Sequence, residues 1–523
     1  MIILKIEGKD KQFIKGAFAL TFSAILVKLV GVIYKVPISY ILGDEGMGYF
    51  NSAYTLYGFF FLICSSGIPK AITMVVSDRM ARGDKKNGLP IGKIILVFFL
   101  FSLALSGVLL ILSKSLAEAI GNKGALLSIR VILPSLIFIC VGGVIRGYLN
   151  GVLSLVPIAI SQVIEAGLKL VLGLGFALAG VKLGFALEAV CAFSVFGITL
   201  STLVTCVFLI IVYKKSKQEE KMGQKAEFAT KGLLKETLKI AIPITLSSSM
   251  LALCSVADLA LIMHRLLSLG YTEVQSSAAY GNYTTLAVPM LNLVISVVTP
   301  ISVAILPRLR ADAALFDKAS FSDNLKSALK GTAIISAPCF FFFTVYSPQL
   351  LDILFKSEAA EFGAPLLCVL SPAILFTSLS TVFNTALEAL GRIKLAVAST
   401  LIGTAIKLLL GYFLIGNPKI NILGAPIGTA ISSAVTLLLS LVFFNKCFGR
   451  SGAASVIFPS LFLSFFSVYL FYFLHLMFFG SDIGILSCIV LCLLSAAIYL
   501  FLLLKTGIIG SFKNFIGESR QNN

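Results

Sequence analysis

About fourteen apolar runs, each close to the ~20 residues a helix needs to cross the hydrocarbon core of a bilayer, follow one another along this chain. They lie at roughly 13–35, 48–76, 90–112, 126–146, 155–179, 184–213, 238–263, 280–306, 330–348, 364–387, 395–415, 423–445, 455–479 and 483–505. Hydrocarbon offers no water to backbone N–H and C=O groups, so a spanning run must satisfy them internally as a helix. The longest hydrophilic gap, 214–237, is too short for a soluble domain. The expected fold is therefore an all-α polytopic membrane protein of the plasma (cytoplasmic) membrane. The first run is too long for the apolar core of a signal peptide and lacks a small-residue cleavage site, so it reads as a retained helix.

The formal net charge is +18, which in a soluble protein would suggest a nucleic-acid partner. Here Lys and Arg crowd into alternate gaps, as in Lys214-Lys215-Ser216-Lys217, the pattern of cytoplasmic loops. Both termini are then expected in the cytoplasm, and no nucleic-acid partner is expected. The ten cysteines scatter through apolar runs without a CxxC pair and read as small packing residues. Two histidines are too few for a His-based metal site. There is no Trp, so Tyr34, Tyr40, Tyr49, Tyr213 and Tyr412 are left to supply the interfacial aromatics. Walker A, GxGxxG, HExxH and EF-hand patterns are all missing, so neither a cofactor nor an enzymatic activity is expected.

The chain also repeats itself. Tyr49, Asn51, Leu62, Ser65, Pro69 and Arg79 return 231 positions later as Tyr280, Asn282, Leu293, Ser296, Pro300 and Arg310. Pro134, Phe138, Ser161, Lys169-Leu170 and Gly173 return at an offset of 238 as Pro372, Phe376, Ser399, Lys407-Leu408 and Gly411. Pro, Arg and Lys seldom fall by chance at matching places inside apolar runs, so two like halves are expected. The expected organisation is a first lobe over 1–213, a cytoplasmic linker over 214–237, a second lobe over 238–447, and two further helices with a tail over 448–523. Six runs per half is an even number, so the halves enter from the same side and form parallel repeats.

Ionisable groups inside a membrane run cost about 2.5–3.5 kcal/mol each on insertion scales, which makes them pointers to function. Lys28 and Lys35 are two helical turns apart on one face of the first run, with Gly31 between them. A cationic face towards a water-filled cavity is the better account of Lys28, whereas snorkelling to the outer interface readily explains Lys35. Lys70, after the helix-bending Pro69, reads as a phosphate contact or as an interfacial lysine. Asn51, its repeat partner Asn282, Lys407 and Arg310 complete the substrate-binding candidates, although positive-inside anchoring also explains Arg79 and Arg310.

Asp258, Glu165 and Lys169 are the candidates for gating or ion coupling, with Glu188 a further acidic residue in a run. Glu165 and Lys169 are spaced i,i+4 and can neutralise each other, whereas Lys407 keeps the cation and has Gly403 in the place of Glu165. Aligning Leu42-Gly43 with Leu269-Gly270 sets Asp258 within one turn of the Lys28 level, either as a gating pair or as a static one. Pro69, Pro289 and Pro300 are candidate hinges. Gly143, Gly147 and Gly151 form a tandem GxxxG beside Arg146 and read as a close helix contact.

Gly31-Val32-Ile33-Tyr34-Lys35-Val36-Pro37, Leu42-Gly43-Asp44-Glu45-Gly46-Met47-Gly48-Tyr49-Phe50-Asn51-Ser52-Ala53-Tyr54, Ser66-Gly67-Ile68-Pro69-Lys70-Ala71 and Arg82-Gly83-Asp84 together resemble a known family. It is the stage V sporulation protein B/polysaccharide-transporter branch of the multidrug/oligosaccharidyl-lipid/polysaccharide exporters, whose superfamily includes the lipid II flippases. The resemblance implies paired six-helix lobes that alternate between inward and outward openings, two extra helices beside the lipid tail, and an undecaprenyl-pyrophosphate-linked saccharide as cargo, with lipid II foremost. It also implies cations on the first helix that hold the pyrophosphate; Lys28 matches one such position, and the second falls nearer Tyr34. Na+ or H+ coupling and a monomeric state are expected with it. The competing expectations are a cation-coupled multidrug antiporter of the same superfamily and a membrane-bound glycosyl- or acyltransferase. The first would want acidic cavities. The second would need a catalytic carboxylate or His at a loop edge; His475, the one candidate with membrane depth, sits in an aromatic run outside the repeat.

Overall fold

A computed structural model of the chain describes residues 2–81, 90–218, 230–355, 357–449, 452–479 and 485–506. The Arg82-Gly83-Asp84 segment, residues 219–229 of the 214–237 linker and the tail beyond 506 lie outside the described residues. Every regular element among the described residues is a helix, as the run of spanning lengths requires.

The first two apolar runs are joined in one element, α1 (Ile2–Ser65), which turns at Gly43, where φ is 64°. That left-handed conformation favours a residue without Cβ. Its counterpart Gly270 has φ 91°, so the repeat extends to backbone geometry. The chain continues through α2 (Gly67–Ala81), α3 (Ile91–Ile111), α4 (Ser113–Ala119), α5 (Leu126–Ile132), α6 (Ser135–Gly151), α7 (Val156–Lys182), α8 (Leu187–Gln218), α9 (Thr230–Ser268) and α10 (Glu273–Asn282). After a π turn over Tyr283–Ala287 come α11 (Val288–Ala314), α12 (Lys318–Val345), α13 (Ser347–Leu354), α14 (Ser357–Ala389), α15 (Ile393–Ile415), α16 (Gly424–Phe448), α17 (Ala453–Phe479) and α18 (Ile485–Lys505).

Among the described residues, 12 segments are long and apolar enough to cross a membrane. The first, Phe18–Met80, holds two of the sequence's runs, and the last run survives as the shorter apolar helix Val490–Lys505. The chain is thus an all-α, multi-pass membrane protein.

Two prolines act where their missing N–H would be needed. Pro69 cannot donate to the Ser65 carbonyl, and α1 gives way to α2 at Ser66. Pro289 cannot donate to the carbonyl of Thr285, and the π turn lies over that stretch. Pro300 and Pro307 sit inside α11, which runs on through both.

By internal packing the chain forms two units: residues 1–267 with 271–281, and residues 268–270 with 282–523. In the first unit α7 packs along α8 and α1, while α6 packs on α2, α3 and α8. In the second, α14 lies against α16, α12 and α11, and α17 packs on α12 and α18. The core of the second unit is built on Phe321, Phe383 and Phe444, with ring centroids 5.8–6.2 Å apart.

The repeat also explains a strained residue. Helix α6 ends with Ser154 N–H donating to the Leu149 carbonyl and Leu153 at φ 60°. At the offset of 238, Arg392 N–H donates to Leu387 and the left-handed position is Gly391, at φ 74°. Leu153, half exposed, therefore carries a Cβ penalty that its counterpart avoids. Leu153→Gly is expected to stabilise the chain by about 1 kcal/mol, read as a rise in the thermal unfolding midpoint in detergent.

Candidate functional site: joined cationic cavities in the first unit

The site begins with a helix contact. A Cβ on Gly147 would lie 2.6 Å from the Pro69 carbonyl oxygen and 3.0 Å from its Cα, and one on Gly151 would lie 2.7 Å from Val76 Cβ. Only bare backbone lets α6 approach α2 this closely. Thr73 Oγ1 donates to the Gly147 carbonyl at 3.1 Å and Ser77 Oγ to that of Gly151 at 3.3 Å, tying the two helices together. The tandem GxxxG is thus the seam that fixes Lys70 on α2 relative to Arg146 on α6.

Two cavities open beside this seam, of about 570 and 630 Å3. Lys70, Thr73 and Asn150 line the first. Lys28, Lys35, Asn51, Tyr54 and Lys169 line the second. Phe61, Arg146, Gln162 and Glu165 line both, so the cavities meet at the Arg146–Glu165 pair. Among the described residues they hold five cationic side chains and one carboxylate, between helices apolar enough to span a membrane. Such a lining has an electrostatic preference for an anion, strengthened by low-dielectric walls.

Within the site, Arg146 Nη2 donates to Glu165 Oε2 at 2.7 Å, and Arg146 Nε donates to Ser161 Oγ at 3.2 Å. Glu165 therefore pairs across to α6 rather than with Lys169, as its i,i+4 spacing had suggested: a guanidinium on a packed neighbouring helix offers a shorter charge-assisted bond. Lys169 Nζ donates to Tyr54 Oη at 2.9 Å and lies 4.5 Å from the centre of its ring. Tyr54 continues an aromatic series with Phe50 and Tyr57, at centroid separations of 5.9 and 5.7 Å. Ser23 Oγ donates to Gln162 Oε1 at 2.9 Å, fastening α1 to α7.

The structure gathers Lys28, Lys35, Lys70, Asn51, Glu165 and Lys169 into these cavities, with Pro69 lining the first of them. Asp258, half-buried on α9, is in the lining of neither cavity. Asn282, Lys407 and Arg310 belong to the second unit, as do Pro289 and Pro300. Asn282 is buried, Lys407 half-buried and Arg310 exposed. Arg79 donates to Glu236 on α9 at 3.2 Å. Arg146 itself was legible only as a neighbour of the glycine motif. The signal that could have found it is its offset-238 counterpart, Asn384, which bonds the repeat-equivalent serine: Ser399 Oγ donates to Asn384 Oδ1 at 3.0 Å.

The chain belongs to the polysaccharide biosynthesis protein family, whose profile matches residues 13–311. Among curated proteins it is 23% identical to stage V sporulation protein B of Bacillus subtilis (strain 168) over 447 residues, covering 83% of this chain and 84% of that one. It is 22% identical to the lipid II flippase MurJ of the same organism over 461 residues, covering 84% of each. Among solved structures it is similar to lipid II flippase MurJ in an inward closed conformation, with a TM-score of 0.72 and 15% identity, covering 92% of this chain and 97% of that one. An inward-facing multidrug resistance MATE family transporter of the MOP superfamily is similar at a TM-score of 0.65 and 15% identity, covering 84% and 98%. The fold is accordingly that of the MOP-superfamily transporters.

Proposed function

We propose that the chain is a flippase that moves an undecaprenyl-pyrophosphate-linked saccharide, with the peptidoglycan precursor lipid II as first candidate, from the inner to the outer leaflet by alternating access. One observation carries the proposal: five cations against a single carboxylate line joined cavities among membrane-spanning helices. A diphosphate headgroup cannot enter hydrocarbon unaided, and a wet cationic cavity lowers that cost. Lys28, Lys35, Lys70, Arg146 and Lys169 would meet the phosphates, with Asn51 and Gln162 offering amide groups to the polar headgroup. The name of one relative, a lipid II flippase, supports the same class of cargo. An inside-negative potential would favour outward movement of the anion by about 2.3 kcal/mol per charge per 100 mV. Coupling to Na+ or H+ through Asp258 is the other source of drive, and the chain is proposed to act as a monomer.

A multidrug antiporter is the second reading, favoured by the MATE-like fold. The sign of the cavity opposes it, because organic cations would be repelled by the five lysine and arginine side chains.

The test is complementation. Cells depleted of their lipid II flippase and supplied with this chain are expected to recover lipid II accessible to an external probe. If the folded, membrane-inserted chain leaves lipid II inaccessible, the peptidoglycan assignment falls. Resistance to cationic drugs in the same cells would favour the antiporter.

A further inference from the structure

Among the described residues Glu165 is the one carboxylate in the lining beside five cations, and it stands where the two cavities meet. We infer that Glu165 is a displaceable counter-ion: it occupies Arg146 while the site is empty, yields Arg146 to a phosphate of the cargo, and reclaims it to expel the cargo. The inference rests on the flippase reading above and adds to it the residue that sets how tightly the anion is held.

The geometry points to exchange rather than to a fixed strut. Both side chains of the pair are 27% exposed, so a ligand anion in either cavity can reach the guanidinium without unfolding anything. Glu165 has a second cation one turn along α7 in Lys169, which also lines the second of its two cavities. In the present arrangement Lys169 is engaged by Tyr54 at 2.9 Å, leaving the carboxylate to Arg146. When a phosphate takes Arg146, the carboxylate can swing to Lys169, so no charge is left buried and unpaired at any step.

The internal repeat supplies a control for the structural alternative. At the offset of 238, Arg146 becomes Asn384 and Glu165 becomes Gly403, whereas Ser161 is kept as Ser399. There the helix contact is made by neutral groups: Asn384 Oδ1 accepts from Ser399 Oγ and from Ser440 Oγ, each at 3.0 Å. A Cβ on Gly403 would collide with Thr436 Oγ1 and lie 3.1 Å from the Ser432 carbonyl oxygen. This architecture therefore joins the two helices without an ion pair. Arginine and carboxylate are present together in the first half and absent together in the second, as expected of two groups serving one purpose other than packing.

The physical need is release. A diphosphate facing five cations would be bound strongly and leave slowly, and a transport site must be weak enough to empty. A resident carboxylate lowers the affinity of the loaded state by competing for Arg146, and it supplies the anion that refills the site.

The test uses the full chain, purified in detergent for binding and reconstituted in vesicles for transport, with farnesyl diphosphate and inorganic pyrophosphate as binding probes and lipid II as cargo. Glu165→Gln is expected to bind both probes at least tenfold more tightly while the maximal rate of lipid II flipping falls at least tenfold. Glu165→Asp is expected to stay within about threefold of the parent in both. In an Arg146→Gln background, Glu165→Gln should bring no gain in affinity. Unchanged or weaker probe binding by a folded Glu165→Gln overturns the inference. So does a gain of equal size in the Arg146→Gln background, which would show a general charge effect. If neither the parent nor any variant binds the diphosphates, the flippase reading falls and takes the inference with it. Diphosphate binding that is unaltered by Glu165→Gln leaves that reading standing alone.

Discussion

Gly147→Leu is expected to remove the folded protein from the membrane. The first added atom already sits 2.6 Å from the Pro69 carbonyl oxygen and 3.0 Å from its Cα, and Ile72 Cβ is 3.1 Å away. Two of these are backbone atoms, which no rotamer change can move, so α2 must leave α6. Overpacking costs typically about 1–3 kcal/mol where side chains can give way, and more is expected here. Separation would also break the Thr73 and Ser77 bonds to the carbonyls of Gly147 and Gly151. Against a total stability of about 5–15 kcal/mol, the leucine should leave little monodisperse material on size exclusion, and Gly147→Ala an intermediate amount. Gly107→Ala on α3 is the control, since its Cβ would meet nothing within 4 Å. Normal yield of Gly147→Leu would show that the α2–α6 seam does not support the fold.

On the proposed flippase function, Lys28→Gln combined with Lys35→Gln is expected to cripple transport and spare folding. Lys28 is exposed and Lys35 half-buried at the same cavity, so neither is a core residue and the glutamines keep much of their length. Charge-assisted hydrogen bonds contribute about 1.5–3 kcal/mol each, so losing two costs the bound diphosphate about 3–6 kcal/mol. At 1.4 kcal/mol per tenfold, flipping at subsaturating cargo should fall at least about 100-fold. Each single variant should show a smaller loss. Near-normal flipping by the double variant would return both lysines to a snorkelling role at the membrane surface.

Much of the fold was open to inspection in the chain itself. Runs of bilayer length dictate helices because hydrocarbon leaves the backbone no alternative. The repeat of Pro69 as Pro300 and of Lys169 as Lys407 announced two like halves, and the paired left-handed glycines Gly43 and Gly270 carry that likeness into the backbone. The GxxxG at Gly143, Gly147 and Gly151 marked a close contact, although nothing in the motif said that α2 would fill it. Lys28, Lys35, Lys70 and Lys169 stood out because charge is costly in an apolar run.

The pairing within the site was not legible in the same way. Local spacing gave Glu165 to Lys169, but the folded chain gives it to Arg146, 19 residues away on another helix. Arg146 looked like an accessory of the glycine motif and proves to be the junction of both cavities. Lys407 matches Lys169 in sequence, yet the half around it carries Asn384 and Gly403 where the first half carries an ion pair.

The sequence by itself determined the solvent, the helical state of the spanning runs and the two-fold repetition, because these follow from hydropathy and length along one dimension. Only the tertiary structure decided which cation each carboxylate meets and which lysines share a cavity. Those outcomes depend on the rotation of each helix about its axis and on how closely its neighbour approaches. Here that approach is set by a missing Cβ on α6 at Gly147, next to Arg146, where it meets Pro69, next to Lys70.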